Sequence, residues 1–192
     1  MGQADTASVI PLTGQGAPHD PDPLAAVERY WQGLRATPHA PTGDVRLDPR
    51  GFSGALSDSF IAEAITASEI RICIAGQRLE ALAGTPLRGL PLSVLFLPEA
   101  RPTLARAVRR TLAGTPARLG LIASQGPFRP GLRAGLVLLP LGNGPCRRVL
   151  GALSAAQPPS RRACRFRIDM EKGPPGPAQP LLRIVQGGKA GT

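Results

Sequence analysis

Between residues 69 and 97 the hydrophobic period changes once, and that change limits the folds open to this chain. In E-I-R-I-C-I-A-G-Q-R-L-E-A-L-A-G-T-P-L-R-G-L-P-L-S-V-L-F-L, Ile70, Ile72 and Ile74 alternate with Glu69, Arg71 and Cys73. That is the pattern of a half-buried strand, whose side chains point alternately to its two faces. After Gly76 the spacing of Leu79 and Leu82 is that of a helical turn. A strand therefore feeds directly into a short helix.

The flanking residues complete the pattern. Residues 60–65 form a further strand, and the three residues 66–68 are too short for anything but a hairpin, so the pair is antiparallel. The string L-A-G-T-P occurs at 82–86 and 112–116. In each copy glycine ends a helix in a left-handed conformation and the proline two residues on forbids its continuation, so both copies are helix stops and not a repeat. Between them 99–113 is the longest expected helix of this region, with Leu104, Val108 and Leu112 on one face. Residues 117–124, 132–141 and 147–155 then alternate as strands around Gly126-Pro127 and Gly142-Asn143-Gly144-Pro145 turns. Two strands, several helical segments and three more strands predict an α+β fold with a five-stranded antiparallel sheet.

Upstream, Asp22 caps and Pro23 opens an amphipathic helix over 23–36, with Leu24, Val27, Trp31 and Leu34 on its stripe. The stripe needs a partner surface: its own domain, or the same helix of a second copy in a homodimer. Asp48-Pro49 is another helix start, leading into a short piece near 51–56.

A chain of 192 residues holds one domain with a core, plus tails. The expected division is a disordered N-terminal tail over 1–22, the domain over 23–156, and a tail over 157–192 that is basic and then rich in Gly and Pro. No apolar run is long enough to span a bilayer, and three scattered cysteines suit a reducing compartment, so a cytoplasmic protein without a membrane partner is expected. There is no C-x-x-C, and both histidines lie in proline-rich stretches, so no metal site is assigned. The net charge of +10 is carried almost entirely by arginine.

The ordered set Y-W-x-x-L-R at 30–35, L-D-P at 47–49 and S-E-I-R-I-C-I-A-G-Q-R-L-E-A-L-A-G-T-P-L-R-G-L-P-L-S-V-L-F-L-P-E-A-R at 68–101 resembles a family of small bacterial PAS-like proteins. Tyr30, Trp31, Asp48, Pro49, Ala75, Gly76, Leu79, Gly84, Leu87, Gly89, Leu95 and Phe96 match its pattern, while Gln77 and Cys73 depart from it. The resemblance implies a sheet with segments 79–113 over one face, a cavity between them, and signal transduction through a small ligand or a protein contact. The expected function is thus a non-enzymatic sensory module acting on a signalling protein partner and taking a small apolar ligand. The wall of such a cavity falls to Ile72, Ile74, Leu82, Leu95, Leu104, Val108, Leu121 and Leu136, each of which equally suits ordinary core packing.

Haem and flavin are not expected: His19 and His39 lie outside the cavity segments, Cys73 is on a strand and Cys146 in a turn. No G-x-S-x-G or phosphate-loop spacing is present, so no catalytic residue is assigned. The competing function is a basic nucleic-acid adaptor. It would use Arg161, Arg162, Arg165 and Arg167 on phosphates and Phe166 for base stacking, although a solvated basic tail accounts for the same residues.

Overall fold

A ten-residue strand whose last six residues are all buried forms the middle of the molecule. This is β4, Leu132–Leu141, in which Leu136, Leu138, Val137 and Leu139 reach opposite faces and all are enclosed. A strand reads as a continuous apolar run only where both faces of its sheet are covered, so the covering layers organise the fold. The computed structural model describes residues 19–36, 47–124, 131–142, 147–156 and 163–172. The turns at Gly126-Pro127 and Asn143-Gly144-Pro145, together with His39, Cys146, Arg161, Arg162 and most of both tails, lie outside them.

The sheet is β1 (Ser59–Thr66), β2 (Glu69–Ala75), β3 (Ala117–Ala123), β4, β5 (Arg148–Ala155) and β6 (Phe166–Lys172), ordered β2-β1-β5-β4-β3-β6. Every neighbouring pair is antiparallel. Five strands agree with the expected ranges to within two residues. The sixth corrects the expected strand count and, over Phe166–Lys172, the reading of that stretch as part of a tail, the rest of 157–192 apart from 163–165 lying outside the described residues. Phe166, Ile168 and Met170 alternate with Arg167, Asp169 and Glu171, and the segment adds to the free edge of β3.

On the inner face lie α2 (Gln77–Ala83), a 3-10 turn at Leu92–Leu95, another at Pro98–Ala100, and α3 (Arg101–Leu112). The expected helix over 99–113 is therefore a 3-10 turn followed by an α-helix. Gly84 and Gly114 have φ of 69° and 99°, and the Gly84 N–H bonds to the Glu80 carbonyl, so both L-A-G-T-P strings do end helices. Gly76 is required by proximity: a Cβ there would lie 2.2 Å from the Leu56 carbonyl oxygen.

The outer face is covered by α1, Pro23–Ala36, and by 3-10 turns over Pro49–Asp58 that kink at Phe52. Asp22 Oδ1 accepts from the Ala25 N–H at 3.1 Å and Asp48 Oδ1 from the Arg50 N–H at 3.0 Å, as their cap positions require. Leu24, Val27 and Trp31 pack with Phe52, Val137, Leu139 and Leu150. The Trp31 indole donates to the Pro140 carbonyl at 2.8 Å, and Leu34 is half-buried. For Leu24, Val27 and Trp31 this corrects the reading as dimer contacts, because the sheet's second apolar face takes their side chains, whereas Leu34 lies outside that core.

Candidate functional site

β2 and α3 do not close on each other completely. Ile70 and Leu92 supply apolar surface from β2 and the 3-10 turn, and Leu104 and Val108, one helical turn apart, supply it from α3. All four side chains are almost fully buried. Around them stand Ser68, Glu69 and Ser93, which are half-buried, and Arg101, which is exposed. The result is a cleft of about 290 Å³ with an apolar floor and a polar rim. The rim is tied together where the Ser93 hydroxyl donates to Glu69 Oε1.

Of the eight residues expected to wall a cavity, Leu104 and Val108 line this cleft. Ile72, Leu82, Leu95, Leu121 and Leu136 are buried in the inner core instead. Ile74 is 62% exposed and reaches no interior space. The reason is a register shift: Ile61 faces Ile74 whereas the next residue, Ala62, faces Ile72. Cys73 is the extra residue, and one inserted residue turns all that follows to the other face. The rim residues Ser68, Glu69, Ser93 and Arg101 have no common motif, because the hairpin, the 3-10 turn and α3 each contribute to them.

The lining of the cleft contains neither histidine nor cysteine. Cys164 is buried elsewhere, where desolvation raises its thiol pKa against the weaker opposing effect of Arg165. Among the described residues no group of three or more His, Cys, Asp or Glu is placed to hold a metal ion. No helix among them is long and apolar enough to cross a membrane.

The residues of the nucleic-acid reading are divided by β6. Phe166 has 0% exposure and its ring lies 6.5 Å from that of Phe96, so it presents no face for a base and is corrected to a core residue. Its carbonyl accepts from the Leu97 N–H, and the Cys164 N–H donates to the Leu82 carbonyl. These bonds fix the start of β6 against the inner layer. Arg165 Nη1 donates to the Cys164 carbonyl, while Arg167 is exposed.

Outside the cleft, the β1–β2 hairpin carries Ile61 opposite Ile74 on its other face, and Ile65 sits at a second register shift, between Ala64 and Thr66. Ile65 and Ile74 are exposed and Ile61 is half-buried. One hairpin thus borders the cleft on one side and shows apolar surface on the other.

A family model described as PAS domain matches residues 19–154, from the segment before α1 to the end of β5. β6 lies beyond the matched span. No curated protein matches the chain. The light-state structure of the blue-light photoreceptor Aureochrome1 LOV is similar at 16% sequence identity and a TM-score of 0.41, over 54% of this chain and 84% of that one.

Proposed function

The chain belongs to the PAS domain family, and from that premise we propose that it is a sensory and regulatory module. In this reading a small ligand in the cleft between β2 and α3 changes how the β1–β2 hairpin meets a protein partner. The observation that carries it is the cleft itself, which lies between sheet and helical layer with a buried apolar floor and a polar rim. At about 290 Å³ it is at the small end of ligand sites, which run from roughly 300 to 1,000 Å³. The floor favours an apolar body, and Ser68, Ser93 and Arg101 at the rim favour a polar end. An occupant touching Ile70 and Val108 bears on β2 and α3 together, and β2 carries Ile74 to the exposed side. Fold alone does not determine a PAS module's ligand, so the chemistry of these side chains supplies the argument.

Native mass spectrometry of the chain purified from its own host tests the reading. The expected result is a retained small molecule whose mass disappears in Ala105→Phe, which places a ring in the cleft from a half-buried position on α3. An equal load of the same molecule in both proteins contradicts the assignment of the cleft.

A further inference from the structure

A second cleft, of about 470 Å³, opens where α1 begins, beside the start of β4 and the end of β5. Its walls include His19, Asp22, Leu24, Arg78, Arg133 and Ser154, contributed by four separate segments, and the residues between them are small. Arg78 is held from below by Asp58, whose side chain is 1% exposed: Arg78 Nε lies 3.4 Å from Asp58 Oδ1. Asp58 Oδ2 accepts from the Ser57 hydroxyl at 3.0 Å and lies 2.9 Å from His19 Nε2. The buried carboxylate therefore meets Arg78 at Nε alone, as an ion pair without a hydrogen bond, and the terminal amino groups have no partner among the described residues. The Arg133 side chain also has none among them, and it is exposed.

The same cleft borders the N-terminus of the 14-residue α1. Pro23 has no N–H, Asp22 Oδ1 takes that of Ala25, and the Asp22 carbonyl takes that of Ala26. The Leu24 N–H is left as the first-turn donor, at the positive end of the helix dipole. Asp22 is the one carboxylate in the lining, and it is engaged in the cap. Two guanidinium groups whose terminal amino groups have no partner among the described residues, a helix N-terminus and a serine hydroxyl around one cavity form a set of converging hydrogen-bond donors, with the Asp22 and Asp58 carboxylates turned to the cap and to Arg78 Nε. A carboxylate or phosphate oxygen meets such donors with charge-assisted bonds, and guanidinium geometry favours a two-point contact.

We propose that this cleft binds a small organic anion, through a carboxylate or phosphate group held between Arg78 and Arg133. Its occupant would bridge α1, α2, the start of β4 and the end of β5, giving the chain an input separate from the cleft between β2 and α3.

Titration calorimetry on the full chain at constant ionic strength, with succinate as the carboxylate probe and inorganic phosphate as the phosphate probe, tests this. At least one probe is expected to bind at millimolar concentration, and which one does so identifies the group. Removing a charged donor in Arg133→Gln is expected to weaken that binding about tenfold or more. Arg78→Gln has the same expected effect but also leaves Asp58 without its arginine, so the exposed Arg133 is the decisive position. Ala105→Phe, which fills the other cleft, is expected to leave this binding unchanged. The proposal is overturned if neither probe binds the wild-type chain, if Arg133→Gln binds as tightly as wild type, or if Ala105→Phe abolishes the uptake.

Discussion

Cys73 decides where Ile74 points. The alternation of Ile70, Ile72 and Ile74 indicates a strand correctly, but a bulge carries no signature of its own in the sequence, and Ile74 emerges on the outer face. Trp31 has the opposite history, since its amphipathic stripe says that something covers it without saying what. It lies 7% exposed against its own sheet with its indole bonded, so Trp31→Ala is expected to cost about 3–5 kcal/mol in urea unfolding without changing sedimentation behaviour. A small loss of stability combined with a shift in association state would return the helix to an intermolecular role.

Glu28, on the same helix, bonds Arg118 at 2.7 Å, yet its pKa is raised from 4.5: desolvation outweighs the attraction of Arg118, and Asp22 adds a smaller raising effect. A folded pKa above the unfolded one means that the native state holds the proton more firmly. The associated stability is present below the unfolded value and is lost as pH rises through the folded one. Relative to wild type, Glu28→Gln is expected to become progressively more stable as pH rises from the unfolded carboxylate range through the elevated folded value. Unfolding curves of both proteins over that range check it, and a wild type that gains on the variant with rising pH contradicts it.

Among the elements, β6 shows best what was legible and what was not. F-R-I-D-M-E-K alternates apolar and charged residues as clearly as β2 does, but a run of arginines precedes it, and no hairpin joins it to its neighbour β3, from which β4 and β5 separate it in the chain. The five expected strands were legible from their alternation, from the three-residue connection at 66–68 and from the Gly- and Pro-containing turns after β3 and β4. The cleft was only half legible: Leu104 and Val108 follow from helical spacing, whereas the rim depends on which turn the 3-10 segment makes. If β6 is part of the core, Phe166→Ala is expected to cost about 3–5 kcal/mol, as deletion of a buried aromatic does. Urea denaturation measures this directly. A cost of only a few tenths would mean that the strand is a dispensable tail.

At the scale of the whole molecule, one sheet separates two apolar cores, with α1 over one face and α2 and α3 over the other. This arrangement gives the β1–β2 hairpin a cleft on one side and exposed isoleucines on the other, so a change within the domain has a short path to its surface. The central claim is that the cleft between β2 and α3 is where the module takes its ligand. Chemical-shift mapping of the full chain against a library of small amphipathic fragments tests it most directly. The account predicts that binding fragments shift the amides of Ser68, Glu69 and Ile70, of Leu92 and Ser93, and of the α3 segment containing Leu104 and Val108. Fragments that bind the chain while leaving all of these amides unmoved would contradict it.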